Sequence, residues 1–137
     1  MFESLTDYIP KLEESDFGKW IVDRENDGTP EHPIQIPGVN YEKVVIDLET
    51  EVISFVNTHE DMGLTAYSDI LERHGIKWEK KSMSSADVSD LDAVTVLALL
   101  VGAVRAERFC GGALLSFCKN GCIAKWLRRL KEIDEEG

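Results

Sequence analysis

Apolar residues recur every three or four positions along most of this chain, which is the spacing of one face of an α-helix. The pattern predicts helices over residues 2–16, 41–58, 65–74, 89–108 and 122–134. The most regular stripes are Val45, Leu48, Val52, Phe55 and Val56 in the second of these helices, and Ile123, Trp126, Leu127, Leu130 and Ile133 in the last. The predicted fold class is therefore mainly α, a small helical bundle.

The helix predicted over residues 89–108 is expected at the centre of that bundle. Its middle is apolar all round, and a helix without a polar face has to be buried on every side. Ser89 and Asp92 have the spacing of a capping box at its start. Arg105 and Arg108 would complement the negative end of its dipole.

Three features interrupt the helical pattern. Pro10 lacks a backbone N–H and predicts a kink or a late start in the first helix. Residues 23–40 contain many Gly, Pro and Asn residues and are expected to form a long loop. Residues 79–88 are polar and rich in Ser and Lys, so we expect a linker between an acidic N-terminal half and a helical C-terminal half.

A minor β element is also expected. Residues 19–22 could form a short strand that pairs with residues 34–36 or with residues 76–78. Residues 113–118 allow either a helix or a strand that turns at the Asn-Gly sequence in 119–121. The spacing of their apolar positions favours the helix.

Length and hydropathy indicate one domain without a membrane anchor. A chain of 137 residues with 43% apolar residues fits a single domain over residues 1–137. The longest apolar run, Ala93 to Val104, is shorter than the ~20 residues that span a bilayer. The first residues lack the basic segment of a signal peptide. We therefore expect a cytoplasmic protein.

The charge is unevenly distributed along the chain. Residues 1–61 hold 4 basic and 15 acidic side chains, whereas residues 62–137 hold 11 of each, so the first half accounts for the net charge of −11. An acidic surface repels phosphate backbones, and general nucleic-acid binding is not expected. The same surface suits a basic protein partner. The long apolar stripes are also compatible with a homodimer.

No pattern of catalytic or metal-binding residues is found in the sequence. The three cysteines, Cys110, Cys118 and Cys122, include no CxxC pair, and no histidine lies near them, so no zinc site is expected. Their odd number favours buried, reduced thiols. P-loop, dinucleotide-binding and HExxH motifs are absent as well, so no cofactor and no catalytic residue is predicted.

The C-terminal end of the predicted central helix is the candidate site. Arg105, Glu107 and Arg108 directly precede an aromatic residue, Cys110 and a double glycine that breaks the helix. Because a semi-buried arginine needs a partner, Glu107 could pair with these side chains internally. This structural interpretation is favoured. The alternative is a small polar pocket lined by Arg105, Glu107, Arg108 and Cys110.

The C-terminal part of the chain resembles a bacterial family designated domain of unknown function 6508. The resemblance covers about the last 50 residues well and the first half loosely, and the sequence Arg-Ala-Glu-Arg-Phe-Cys is its most specific segment. Members often carry an acidic residue at the position of Gly111, which weakens a charged site centred there. The family implies no activity. The matching positions are Ala86–Val88, Leu91–Asp92, Val101–Cys110, Gly112–Leu115, Asn120–Gly121, Ile123, Trp126–Leu127 and Leu130.

Two functions remain open from the sequence. The first is a non-catalytic accessory or interaction protein whose acidic N-terminal half binds a basic partner, in one version as a mobile-element inhibitor or immunity-type protein. The second is a ligand-binding module or enzyme with its pocket at the end of the central helix. The charge distribution and the lack of catalytic motifs favour the first.

Overall fold

The computed structural model describes residues 2–21 and 38–136. In these ranges the chain forms eight α-helices and one two-stranded antiparallel sheet, which confirms the predicted class, mainly α with a minor β element. The elements in chain order are α1 (Glu3–Thr6), α2 (Ile9–Glu13), β1 (Gly18–Ile21), β2 (Gly38–Tyr41), α3 (Lys43–Thr58), α4 (Tyr67–Arg73), α5 (Lys80–Ser85), α6 (Ala93–Ala106), α7 (Ala113–Lys119) and α8 (Cys122–Glu136).

Helix α6 lies at the centre of the core, as its composition predicts. All of its residues from 95 to 104 are buried, and α3, α4, α7 and α8 pack around it. At roughly 25 cal/mol for each Å² of apolar surface removed from water, such a helix is a major source of the folding free energy. It ends at Ala106, so Arg108 lies beyond the helix rather than in its last turn.

The start of α6 differs from the predicted capping box. Asp92 is itself the N-cap, and its carboxylate accepts a hydrogen bond from the amide of Thr95 at 2.9 Å. Ser89 instead donates its hydroxyl to Asp87 at 2.7 Å. The predicted helix start at residue 89 is therefore about one turn too early. The residue that caps the helix is Asp92, and the helix begins at Ala93.

Replacing Asp92 by alanine is expected to lower the free energy of unfolding by about 1 kcal/mol at neutral pH, because the N-cap acceptor is lost. Hydrogen bonds from Thr95 hold the pKa of Asp92 below its usual range. A carboxyl whose pKa is lowered by folding stabilises the protein while it is ionised. Its contribution is therefore complete above the unfolded pKa of about 4 and is lost as the pH falls through the folded pKa.

Urea unfolding of the D92A variant at pH 7 and at pH 3 measures this effect. The destabilisation should be smaller at pH 3. The exposed neighbour Asp90 provides the control, since D90A should change little at either pH. An equal loss at both values of pH would show that the Asp92 charge does not stabilise α6.

The terminal helices pack together on one side of α6. Trp126, Leu127 and Leu130 of α8 are completely buried, and α1 and α2 pack against α8. The predicted first helix is broken between α1 and α2. Pro10 lies in the first turn of α2, where its missing N–H costs no helical hydrogen bond. The predicted interruption of this helix is therefore a break between α1 and α2 rather than a late start.

The strand partner predicted for β1 is different in the structure. β1 pairs with β2, with Lys19 opposite Asn40 and Trp20 opposite Val39, and residues 76–78 form no strand. Residues 34–36 lie outside the described residues, as does most of the predicted loop 23–40. β1 follows α2 and β2 precedes α3. Because α2 packs on α3, the two strands are brought side by side.

Two further segments bear on the site. Residues 79–88, expected to be a linker, contain helix α5, whose Met83 is buried against the core. A single apolar side chain in a polar segment gives no helical period, and the sequence pattern therefore missed this helix. Residues 113–119 form α7, as the favoured interpretation expects, and they are held close to α5 and α6.

Candidate functional site

The loop between α6 and α7 is organised around the carboxylate of Glu107. Its oxygens accept hydrogen bonds from the amide of Gly112 at 3.0 and 2.9 Å, and one oxygen also accepts from the amide of Leu114 at 3.0 Å. These amides belong to the N-terminus of α7, where N–H groups have no acceptor within the helix. Glu107 thereby caps α7 from the preceding loop.

Tyr41 extends this network from β2. Its hydroxyl donates to Glu107 at 2.7 Å and accepts from the amide of Leu115 at 3.0 Å. Burial, followed by the hydrogen bond to Glu107, raises the pKa of Tyr41 well above its ordinary value. Burial also raises the pKa of Glu49 and raises that of Cys118 to about 12, with the Glu107 charge as second cause. Tyr41 and Glu107 are partly buried, and hydrogen bonds are stronger in such surroundings than in water.

The four residues of the predicted polar pocket have different surroundings. Arg105 is half-buried and Arg108 is exposed, and in the described part of the chain neither forms an ion pair with Glu107. Cys110 lines the large cavity described below, whereas the other three residues do not. The pocket of these four side chains stays a prediction, and the cavity beside Cys110 is the stronger candidate site.

The expectation of three buried thiols is correct for two of them. Cys118 and Cys122 are buried, but Cys110 is exposed. The reason is its position in the turn between α6 and α7, where neither helix can carry it into the core.

A cavity of about 1100 Å³, open to solvent, lies beside the turn between α6 and α7. β1 forms one wall and the residues at the start of α5 form another, while the 106–113 turn and α7 complete it. The buried side chains of Met83, Leu115 and Phe117 line it from the core side. We call this cavity the aromatic groove.

Exposed aromatic side chains are concentrated at the aromatic groove. Four large apolar side chains are exposed among the residues that the structure describes, and three of them line it. These are Trp20, Trp78 and Phe109, with exposed fractions of 51%, 38% and 78%. The fourth, Ile46, is on α3 and is not part of the groove. A group of neighbouring exposed apolar side chains is typical of an interaction or ligand site.

Gly112 holds Trp20 in the groove. A β-carbon at Gly112 would lie 2.2 Å from Cζ2 of the Trp20 ring, so the indole rests directly on the glycine backbone. Gly112 also has φ +90°, a conformation that residues with a side chain rarely adopt. Gly112 thus permits both the backbone conformation of the turn and the close packing of Trp20.

Gly102 of α6 holds Trp78 in a similar way. The Trp78 indole N–H donates to the carbonyl of Gly102 at 3.0 Å, and a β-carbon at Gly102 would lie 3.3 Å from Cδ1 of the ring. Tyr67 and Phe109 make edge contacts with Trp78, with ring centroids 5.3 and 5.7 Å away. Trp78 is therefore fixed before any ligand binds, which lowers the entropic cost of binding.

The described lining of the aromatic groove has a net positive charge, opposite to that of the whole chain. Among the described residues, Lys19, Lys80 and Lys119 line it and are exposed, and Glu79 is the one acidic residue of this lining. Within residues 2–21 and 38–136, none of the three lysines forms an ion pair. The described part of the groove therefore combines three lysines that have no ion-pair partner there with an apolar surface, on a protein with a net charge of −11.

The basic face of α8 is engaged in the fold. Arg128 pairs with Glu13 of α2 at 2.8 Å. Arg129 donates to the carbonyl of Leu91 at 3.1 and 3.2 Å, and Lys125 donates to a carbonyl of the same loop at 3.3 Å. These contacts anchor α8 to the chain before α6. Arg128, Arg129 and Lys125 are therefore used in contacts within the fold.

Among the described residues, no group of three or more His, Cys, Asp or Glu side chains could hold a metal ion. None of the described helices is both long and apolar enough to cross a membrane. Thr95 hydrogen-bonds Asp92 and lies 3.4 Å from the ring of His74, but Thr95 is 1% exposed, so its hydroxyl is not accessible to a substrate.

The sequence pattern correctly pointed to the C-terminal end of the central helix but missed the aromatic groove. Trp20, Trp78 and Phe109 are far apart in the chain, and each lies in a short segment without periodicity. Trp78 could have indicated the groove, because it is a large apolar residue outside any helical stripe. Such a side chain is either buried by tertiary contacts or left exposed at the surface.

Comparison with known proteins identifies a family but no relative of known role. The model of DUF6508, described as a family of unknown function, matches residues 1–136. No curated protein and no solved structure matches the chain. The match extends the C-terminal resemblance noted in the sequence to nearly the whole chain.

Proposed function

Because the chain belongs to the DUF6508 family, whose function is unknown, the site itself has to indicate the role, and we propose that it is a non-catalytic binding protein of the bacterial cytoplasm that acts through the aromatic groove. The observation that carries this proposal is that Trp20, Trp78 and Phe109 are exposed to solvent and all line one cavity. Leaving such surface exposed has no benefit for folding.

The construction of the groove supports binding rather than chemistry. The two indoles are held by glycine contacts and, at Trp78, by a hydrogen bond, so the walls are formed in advance. Binding sites combine such apolar walls with a few polar groups. Lys19, Lys80 and Lys119 are these groups here. An interaction protein, as expected from the sequence, remains the favoured class, with its binding surface at the groove.

The uncharged aromatic probe N-phenyl-1-naphthylamine should bind in the groove and become fluorescent. The double variant Trp20→Ser/Phe109→Ser should weaken its binding about tenfold, because two aromatic contacts of roughly 0.5–1.5 kcal/mol each are lost. Both side chains are largely exposed, so the fold should be kept. Fluorescence titration gives the dissociation constant, and thermal unfolding verifies the fold.

The matched control is Ile46→Ser, which removes the one exposed large apolar side chain of the described residues that lies outside the groove. It should leave probe binding unchanged. If the double variant binds the probe as tightly as the wild-type protein, or if I46S loses binding equally, the groove is not the binding site.

A second candidate is the acidic N-terminal half as a surface for a basic partner. Glu14 and Asp16 are exposed just after α2, and on α3 the exposed Ile46 adjoins Asp47. This arrangement suits a basic partner, as for an inhibitor or immunity-type protein. Such a partner would bind independently of Trp20 and Phe109, so the W20S/F109S variant distinguishes it from a ligand of the groove.

A further inference from the structure

Three lysines line the aromatic groove beside its exposed aromatic side chains. We propose that the groove binds an acidic peptide segment of another protein, in which large apolar side chains enter the groove and neighbouring carboxylates meet its lysines. This inference rests on the proposed function of the groove and adds the class of partner.

The open shape of the groove favours a peptide segment over a small molecule. Pockets for small ligands usually enclose most of the ligand. The aromatic groove measures about 1100 Å³, and Phe109 at its edge is 78% exposed. A segment of chain can fill such an open site with several side chains, as in the known binding of amphipathic segments to apolar grooves.

The charges favour an acidic segment. Lys19 comes from β1, Lys80 from α5 and Lys119 from α7, so three separate elements place a cation at the same cavity. Their ammonium groups have no ion-pair partner among the residues that the structure describes. Complementary charge of this kind gives specificity and faster association. A basic segment would instead bring unpaired positive charges together.

A peptide also fits the whole molecule better than a nucleic acid does. Single-stranded nucleic acids likewise bind to aromatic side chains and lysines. They carry a negative charge on every nucleotide, however, and the net charge of −11 would repel a long polyanion outside the groove. A short segment with two or three carboxylates experiences the local lysines without the same repulsion.

Selection of random 12-residue peptides by phage display on the full chain tests the inference. Peptides that bind the wild-type protein but not W20S/F109S should be enriched in Trp, Phe or Leu and should have an excess of Asp and Glu over Lys and Arg. The most enriched peptide is then synthesised, labelled with a fluorophore and titrated at low and at high salt. Its affinity should fall with salt.

Charge reversal then tests the lysines themselves. K80E/K119E should weaken the selected peptide about tenfold or more, since two favourable charge pairs become repulsive. The matched control K11E/K131E reverses two exposed lysines outside the groove and should have little effect. Thermal unfolding of both variants verifies that the fold is kept.

The outcomes separate the two proposals. Groove-dependent peptides that are neutral or basic overturn the acidic partner and leave the proposed function standing. A lack of any groove-dependent peptide, together with a lack of probe binding, overturns both. If a dT15 oligonucleotide binds more tightly than the peptide, the groove is assigned to nucleic acid. If sedimentation shows a dimer that the W20S/F109S substitutions dissociate, the groove is assigned to a second copy of the chain. Either result would also overturn the inference.

Discussion

Replacing Trp126 by alanine is expected to lower the free energy of unfolding by about 3–5 kcal/mol. Its side chain is completely buried on α8 and contacts Phe117 with a centroid distance of 5.6 Å. Truncation removes a large apolar surface from the core and leaves a cavity that helices on several sides cannot fill. Urea unfolding monitored by circular dichroism measures the loss.

The variant Trp126→Phe should cost much less, within about 1 kcal/mol of the wild-type protein. The indole N–H of Trp126 is buried and has no acceptor among the described residues, so its removal sacrifices no hydrogen bond. It also removes the cost of burying an unpaired donor, which is roughly 1–3 kcal/mol and offsets part of the lost volume. If W126F destabilised the protein as much as W126A, the indole N–H would have to be bonded in solution.

Replacing Glu107 by alanine is expected to lower the free energy of unfolding by about 2–4 kcal/mol. The Gly112 and Leu114 amides and the Tyr41 hydroxyl lose their common acceptor, and each partly buried donor left without one costs roughly 1–3 kcal/mol. Water can reach part of this site, which keeps the total below the sum. The same denaturant titration, combined with hydrogen exchange of α7, measures the effect.

Two substitutions serve as controls for Glu107. Arg108→Ala changes an exposed neighbour and should alter stability by less than about 0.5 kcal/mol. Glu107→Gln retains one oxygen acceptor and should cost less than E107A. If E107A and R108A had similar effects, the carboxylate would not organise the turn before α7.

The Glu107 network also connects stability with the aromatic groove. The turn that Glu107 holds contains Gly112, on which the Trp20 ring rests, and Phe109. A variant that loosens this turn should therefore weaken probe binding as well as α7. Phe109→Ser should do the reverse, weakening probe binding with little effect on stability, because Phe109 is mostly exposed.

Helices with a clear apolar period were predictable from the sequence because their burial depends on spacing within one segment. The stripe of α3 was predicted residue by residue, and Val45, Leu48, Val52, Phe55 and Val56 are all buried. Short elements were less predictable. β2 and α5 each place few side chains in the core, so neither leaves a period in the sequence.

The candidate site shows the same division. The sequence pointed to the end of the central helix because a charged segment and a double glycine follow an apolar run, and that information is local. It could not show that Glu107 turns back to cap α7, since this depends on where the next helix starts. It also could not show that Cys110 stays exposed beside a cavity.

By itself, the sequence determined the helical class, the central position of α6 and the acidic character of the molecule, because each follows from composition or from spacing within a segment. Only the tertiary structure decided that Trp20, Trp78 and Phe109 meet at one groove and that lysines from three elements surround it. Trp20 and Phe109 are 89 positions apart in the sequence. Their meeting depends on how β1, α5 and the turn after α6 pack, which no local pattern contains.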